Sequence, residues 1–278
     1  MIYLLATSLL WAFSFGLIKG KLAGVDPNFV AFARLGISAL VFLPLLRVRG
    51  LQRSIALKLV GVGGVQFGLM YVLYIRSYGH LAAHEVALFT VLTPLYVALF
   101  SGSSARRKAW SASLLACAGA AVISWNPLGE NEVWVGFLLV QAANACFAAG
   151  QLTYKRLAKE LDGRKQSSVF GLLYLGGVLV AGVVAAALTN WSALEVSQDQ
   201  QLTLLYLGLL PSGLGFFLWN LGATKVSEPS LAVLNNVKVP LAVLVSLTIF
   251  GEASDLLPLA VGSSLLGAAV WLVRPAGL

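Results

Sequence analysis

Charge is scarce in this chain. Of its 278 residues only 11% are Asp, Glu, Lys or Arg, against about 25% in ordinary soluble domains. That is too little to cover a water-facing surface. Cysteine is nearly absent: Cys117 and Cys146 each sit inside an apolar run, which excludes a disulfide framework, a CxxC redox pair and a thiolate zinc site. The two histidines, His80 and His84, are too few for a metal cage. A Walker loop, a GxSxG elbow and a pair of neighbouring carboxylates are all missing, so an ATP-driven pump or an intramembrane hydrolase has no support. Neither a cofactor nor a metal is expected, and the chain is read as something other than an enzyme.

What fills the chain is hydrocarbon. Hydrophobic residues make up 59% of it and its mean hydropathy is +0.86. A helical bilayer crossing takes about 20 apolar residues, and apolar runs recur at 1–20, 28–46, 55–77, 82–101, 109–125, 132–154, 167–188, 201–223, 229–250 and 256–273. The reading is an all-α membrane protein of ten transmembrane helices. Breaks between runs carry ordinary punctuation, such as Asp26-Pro27-Asn28 and Asn126-Pro127-Leu128-Gly129. At Ser227-Glu228-Pro229 a capping residue, an acid and a first-turn proline announce a helix N-terminus. The first run lacks a basic leader and is followed at once by a second span. It is therefore expected to be a retained helix, not a secretory signal.

The excess of 19 Lys and Arg over 11 Asp and Glu is explained by where those residues fall. With a cytoplasmic N-terminus, the inner loops and tail hold Arg47, Arg49, Arg53, Lys58, Arg106, Arg107, Lys108, Lys155, Arg156, Lys159, Arg164, Lys165, Lys225 and Arg274, whereas the outer side holds Lys19, Lys21 and Arg76. This is the positive-inside pattern. It places both termini in the cytoplasm and removes any need for a nucleic-acid partner. Arg34 and Lys238 are left over inside apolar runs.

Ten spans divide into five and five. Tyr71-Val72-Leu73-Tyr74, with Leu81, Ala87 and Pro94, runs parallel to Phe216-Phe217-Leu218-Trp219, with Val226, Ala232 and Pro240, about 145 residues on. Because five is odd, a duplicated half must cross the membrane in the opposite sense, the arrangement of many secondary transporters with a site at the midplane. The halves are expected at 1–126 and 127–278, around a central cavity. Leu10-Trp11-Ala12-Phe13-Ser14-Phe15, Asp26-Pro27 with Ala33-Arg34, Thr93-Pro94, Val239-Pro240 and Phe250-Gly251-Glu252 together resemble the drug/metabolite transporter superfamily. Within it the chain is similar to EamA-type bacterial exporters, above all those of aromatic amino acids. The resemblance implies two inverted five-helix repeats, a cavity lined mainly by helices 1, 3, 4, 6, 8 and 9, and residence in the bacterial inner membrane. The small multidrug transporters of that superfamily depend on a glutamate in their first helix. This chain has none there, so that mechanism does not carry over.

Several polar residues inside the spans stand out. Lys238 lies about ten residues, hence about 15 Å, into its helix, where an ammonium costs at least about 2.5–3.5 kcal/mol unless it faces protein or water. It reads either as a partner of carbonyls freed by Pro240 or as a cavity cation, with Asn235 beside it. Thr90 and Thr93 hold the matching places before Pro94, and a proline flanked by polar groups fits a hinged, water-lined helix. Tyr71, Tyr74 and Tyr78 form an aromatic stripe that serves either packing or an organic solute; Trp219 stands opposite. Gln141, Asn144, Ala148 and Gln151 give one polar face, and Thr7, Trp11 and Ser14 another, suited to interhelical bonds or to a cavity. Arg34 is read as gating or structural, and His80 and His84 as an outer gate or plain loop polarity.

The leading expectation is a monomeric exporter of amino acids and related metabolites working by alternating access. Trp11, Tyr71, Tyr74, Tyr78 and Trp219 would hold the side chain, and Lys238, Asn235 and Thr93 the carboxylate. Asn144 and Gln151 would take the amino group. Three rivals stand beside it: an exporter of organic anions or phosphorylated sugars using Lys238 with Arg34, a drug or cation exporter, and a membrane enzyme or lipid flippase. Reporter tags on both ends should read cytoplasmic. An external C-terminal tag would overturn the even number of crossings.

Overall fold

A computed structural model describes residues 1–101, 132–161 and 163–273, with seven isolated positions between 111 and 122. Most of the expected span at 109–125, the Arg106-Arg107-Lys108 cluster, Cys117 and Arg274 lie outside the described residues. Among the described residues the chain is helical, without strand. The helices are α1 (Ile2–Lys21), α2 (Pro27–Phe42), α3 (Arg53–Gly63), α4 (Met70–Ser77), α5 (Ala83–Phe89), α6 (Thr93–Phe100) and α7 (Glu132–Leu157). They continue as α8 (Gly171–Leu188), α9 (Gln198–Leu207), α10 (Phe216–Ala223), α11 (Glu228–Asn235), α12 (Lys238–Thr248) and α13 (Leu256–Val273). Among the described residues seven continuous runs are long and apolar enough to cross a bilayer, while Lys238–Thr248 and Leu256–Ala269 are shorter apolar helices. The expected continuous span at 229–250 is thus divided.

Local chemistry sets the helix starts. The Asp26 carboxylate accepts the N–H groups of Asn28 and Phe29 at 3.0 and 2.9 Å, with Pro27 in the first turn. The Ser227 hydroxyl oxygen accepts the Ser230 N–H at 3.2 Å and α11 begins at Glu228, as the motif there indicated.

Among the described residues four apolar runs are interrupted along their length. A wide π turn at Gly64–Leu69 joins α3 to α4, and another at Gly208–Gly215, containing Pro211, joins α9 to α10. A tight turn at Thr90–Leu92 precedes Pro94, and α11 stops at Asn235 before Pro240. Proline has no N–H for the carbonyl four residues back. The Thr93 hydroxyl donates to the Thr90 carbonyl in its place, at 2.8 Å. Around Pro211 the loosened carbonyls draw donors from other helices: Ser38 to Gly208, Trp11 to Pro211, Thr7 to Gly215, and the Tyr174 hydroxyl to both Ser212 and Gly213.

Packing follows an exchange rule. α2 lies against the Gly208–Gly215 turn and α8 against the Gly64–Leu69 turn; α1 packs on α10 and α12, and α7 on α4 and α6. The α3–α8 crossing is tight enough that a Cβ on Gly63 would overlap the Leu173 backbone, and one on Gly176 the Val60 carbonyl. At Gly36 a Cβ would meet nothing. Gly176→Val should therefore lower the thermal unfolding midpoint in detergent, by about 1–3 kcal/mol of overpacking, with Gly36→Ala near wild type. Equal midpoints would mean the crossing relaxes freely.

Candidate functional site

A cavity opens between the interrupted helices. α1 supplies Trp11, Ser14 and Phe15, and α4 supplies Met70, Tyr71 and Tyr74. Ala143, Asn144 and Phe147 come from α7 and Phe216 from α10, while Thr90 and Thr93 flank the α5–α6 break. The two cations, Arg34 and Lys238, complete the wall.

Aromatic rings make most of the surface. The Trp11 indole N–H donates to the Pro211 carbonyl at 2.9 Å, fixing the ring 5.0 Å from Phe216, 5.0 Å from Trp219 and 5.9 Å from Phe147. Tyr71 continues the wall 5.6 Å from Phe216, and Tyr74 meets Phe15 at 6.0 Å. The π turn around Pro211 thus holds the wall through its own free carbonyl.

Both cations are buried, at 5% exposure for Lys238 and 2% for Arg34. The Lys238 Nζ sits 4.9, 5.7 and 5.9 Å from the ring centres of Trp11, Phe147 and Trp219, close enough for cation–π attraction. It donates one hydrogen bond, to Asn235 Oδ1 at 3.2 Å. An ammonium carries three donors. Arg34 donates through Nε to the Ser212 hydroxyl and through Nη2 to Tyr71, with its carbon 4.8 Å above the Tyr71 ring, and its Nη1 has no protein partner. Among the described residues no carboxylate forms an ion pair with either cation. Two buried basic groups with no acid paired to them among the described residues favour an anion there.

The expected site residues divide into those at the wall and those behind it. Trp11, Ser14, Tyr71, Tyr74, Thr90, Thr93, Asn144 and Lys238 line the cavity, and so does Arg34, whose bond to Ser212 also ties α2 to the Gly208–Gly215 turn. Tyr78, Gln151, Trp219 and Asn235 do not line it. Tyr78 shares a 2.6 Å hydrogen bond with Tyr74, its carbonyl holding Lys19. Trp219 is fully buried behind Trp11 and donates to Gln151, and Asn235 reaches the site only through Lys238. Asn144 donates to the Phe89 carbonyl and to Gln141, and accepts from Thr93. It repairs the break before Pro94, with no donor left for an incoming group. Phe15, Met70, Ala143, Phe147 and Phe216 were not expected as site residues. Helical spacing could have found two of them, since Phe15 stands four residues after Trp11 and Phe147 three after Asn144.

At the expected outer end the two halves meet through Glu252. Its carboxylate accepts the N–H groups of Ala83 and His84, at 2.8 and 3.0 Å, at the start of α5. The His84 ring Nδ1 lies 2.8 Å from the same group, and the Ser246 hydroxyl donates to it as well. In the sequence Glu252 stood out only within the Phe250-Gly251-Glu252 motif. The expected gate residue His84 is here and buried; His80 lies in the turn before α5, its Cβ against Gly136 of α7. Burial opposes ionisation of Glu252, but the bonds from His84, Ser246 and the two backbone groups outweigh it, drawing the carboxyl to about 2 from its ordinary 4.5. Pro94 is the second residue of α6, next to the lining Thr93, and Pro240 is the third of α12, two residues after the lining Lys238. Among the described residues no three potential metal ligands come together.

Residues 1–125 match the model of the EamA-like transporter family. The biotin transporter of Salmonella typhimurium is 41% identical to this chain over 280 residues, covering 99% of the chain and 93% of that protein. A probable biotin transporter of Pseudomonas aeruginosa is 42% identical over 279 residues, covering 99% and 97%. The biotin transporter of Escherichia coli K12 is 40% identical over 283 residues, covering 99% and 93%. None of these three names mentions an aromatic amino acid. A crystal structure of a protein at 20% identity shares the fold, with a TM-score of 0.67 over 98% of this chain and 95% of its own.

The Glu252 contacts carry a pH signature. A carboxyl held below its ordinary range stabilises the fold above about 4.5 and loses that contribution as pH falls toward about 2. Glu252→Gln should flatten this acid limb of the unfolding midpoint in detergent. An unchanged limb would show that the contact contributes nothing.

Proposed function

The chain belongs to the EamA-like transporter family and is a multi-pass membrane transporter, not an enzyme; from that premise we propose that its cargo is biotin, held in the cavity between Lys238 and the aromatic wall. The observation that carries this reading is the pair of buried cations without an acid, set among rings. Biotin joins one carboxylate, on an apolar tail, to a neutral bicyclic ring. The carboxylate meets Lys238, which has donors to spare, and the free Nη1 of Arg34 offers a second partner. The tail and bicycle fit against Trp11, Phe147, Phe216 and Tyr71. The names of the relatives support the same cargo.

The amino-acid cargo expected from the sequence suits this charge pattern less well. A zwitterion would set its ammonium beside two cations with neutral amides as its partners, and Asn144 is already saturated as a donor. A cationic drug meets the same obstacle. The organic-anion rival, which joined Lys238 to Arg34, is closest to the present reading.

Transport is proposed to proceed by alternating access between inverted halves, residues 1–126 and 127–278, in the bacterial inner membrane with both termini cytoplasmic. Two features support the halves. The π turns and the proline breaks each recur about 145 residues apart, and the contacts of α1 and α2 with one half are mirrored by those of α7 and α8 with the other.

Proteoliposomes of purified protein should accumulate labelled biotin in counterflow, displaced by biotin but not by phenylalanine or threonine. Lys238→Met should lower apparent affinity by about 10–100-fold, the loss of one charge-assisted hydrogen bond. Its unfolding midpoint should stay level or rise, because the change removes an uncompensated buried charge. Counterflow of phenylalanine or threonine without biotin would restore the amino-acid cargo.

A further inference from the structure

Beyond the cavity floor lies a layer of amides that the proposed cargo site does not use. Four residues from Met70, Phe147 and Phe216, on three different helices, stand Gln66, Gln151 and Asn220. One helical turn is about 5.4 Å, so the three amides share a level on the cytoplasmic side of the cavity under the expected topology. All three are fully buried. Phe147, Phe216 and Trp219, packed ring on ring with Trp11, separate them from the cavity.

The orientation of each amide is forced. The Trp219 indole can only donate, and it does so to Gln151 Oε1 at 2.9 Å. Gln151 Nε2 is left without a partner. Asn220 donates through Nδ2 to the Phe216 carbonyl at 2.9 Å, so its Oδ1 faces Gln66 and accepts from Gln66 Nε2 at 3.1 Å. Gln66 Oε1 is left without a partner. The layer therefore presents one open acceptor and one open donor, both neutral, where each unmet group is costly.

We propose that this layer is a second subsite, which takes the neutral urea group of the cargo: a ring N–H donates to Gln66 Oε1, and the ring carbonyl accepts from Gln151 Nε2. The assignment rests on the biotin reading. A carboxylate would find no cation among these amides, so the two subsites sort the two ends of one molecule. The ring reaches the layer when the floor of Phe147, Phe216 and Trp219 parts toward the cytoplasm.

The test is equilibrium binding to purified protein of three acids: biotin; desthiobiotin, which keeps the urea ring but lacks the sulfur ring; and lipoate, which keeps the carboxylate tail and a sulfur ring but has no urea. Wild type should prefer both ureas to lipoate. Gln66→Met and Gln151→Met should each weaken biotin and desthiobiotin about tenfold, the worth of about one buried hydrogen bond, and leave lipoate within about twofold. Lipoate binding in the same preparation also shows that each variant is folded. Parallel loss of all three acids, or no loss of either urea, overturns the subsite while leaving biotin as cargo. Wild-type protein that binds lipoate or phenylalanine but neither urea removes the biotin reading and this one with it.

Discussion

In hydrocarbon every backbone carbonyl must find a donor inside the protein, and this structure is organised around the places where the helices cannot supply one. Pro211 and the π turn around it loosen a run of carbonyls, and Thr7, Trp11, Ser38 and Tyr174 satisfy them. Three of those four donors come from the first two helices. Pro94 creates the same need, met by Thr93 for the Thr90 carbonyl and by Asn144 for that of Phe89. The stitches that repair the breaks are also what hold Trp11, Asn144 and Thr93 at the cavity wall. Wall and fold are one set of hydrogen bonds.

The charges follow a different logic. Among the described residues no acid pairs with Lys238 or Arg34, and aromatic faces offset only part of the cost of burying them. Tyr71 and Ser212 bind two sides of the Arg34 guanidinium and leave the third open. For the anionic cargo proposed above, the cavity would be organised before the charge arrives, which reduces the ordering cost of binding.

Much of this was legible in the sequence, for physical reasons that can be named. Hydrophobic runs, the Asp26 and Ser227 caps and the prolines are local signals, and among the described residues the structure has helices along most of the runs, with starts and breaks at these residues. Lys238 stood out because a mid-membrane ammonium demands an account. The π turns were not legible. Gly64–Leu69 contains no proline, and a wide turn there depends on close packing with α8. The contacts of Glu252 with the start of α5 were not legible because those partners lie 168 and 169 residues away, beyond any periodicity. Gln151 and Trp219 do not line the cavity because helical spacing gives the face of a residue, not its level: both face inward, one turn past it.

The Gly63–Gly176 crossing imposes a mechanical condition. Where two backbones touch without intervening side chains, the helices have no compliant layer between them, so α3 and α8 form a stiff spine with little room to slide. Under alternating access the displacement must then grow with distance from that spine. The outer Glu252 contact, made of a few hydrogen bonds that can break and re-form together, is suited to lie at the far end of the lever. An exchange of conformations would convert small angular changes at the spine into separation at that contact. Under the proposed alternating access, the small residues along α3 and α8 would be the bearing on which the halves turn.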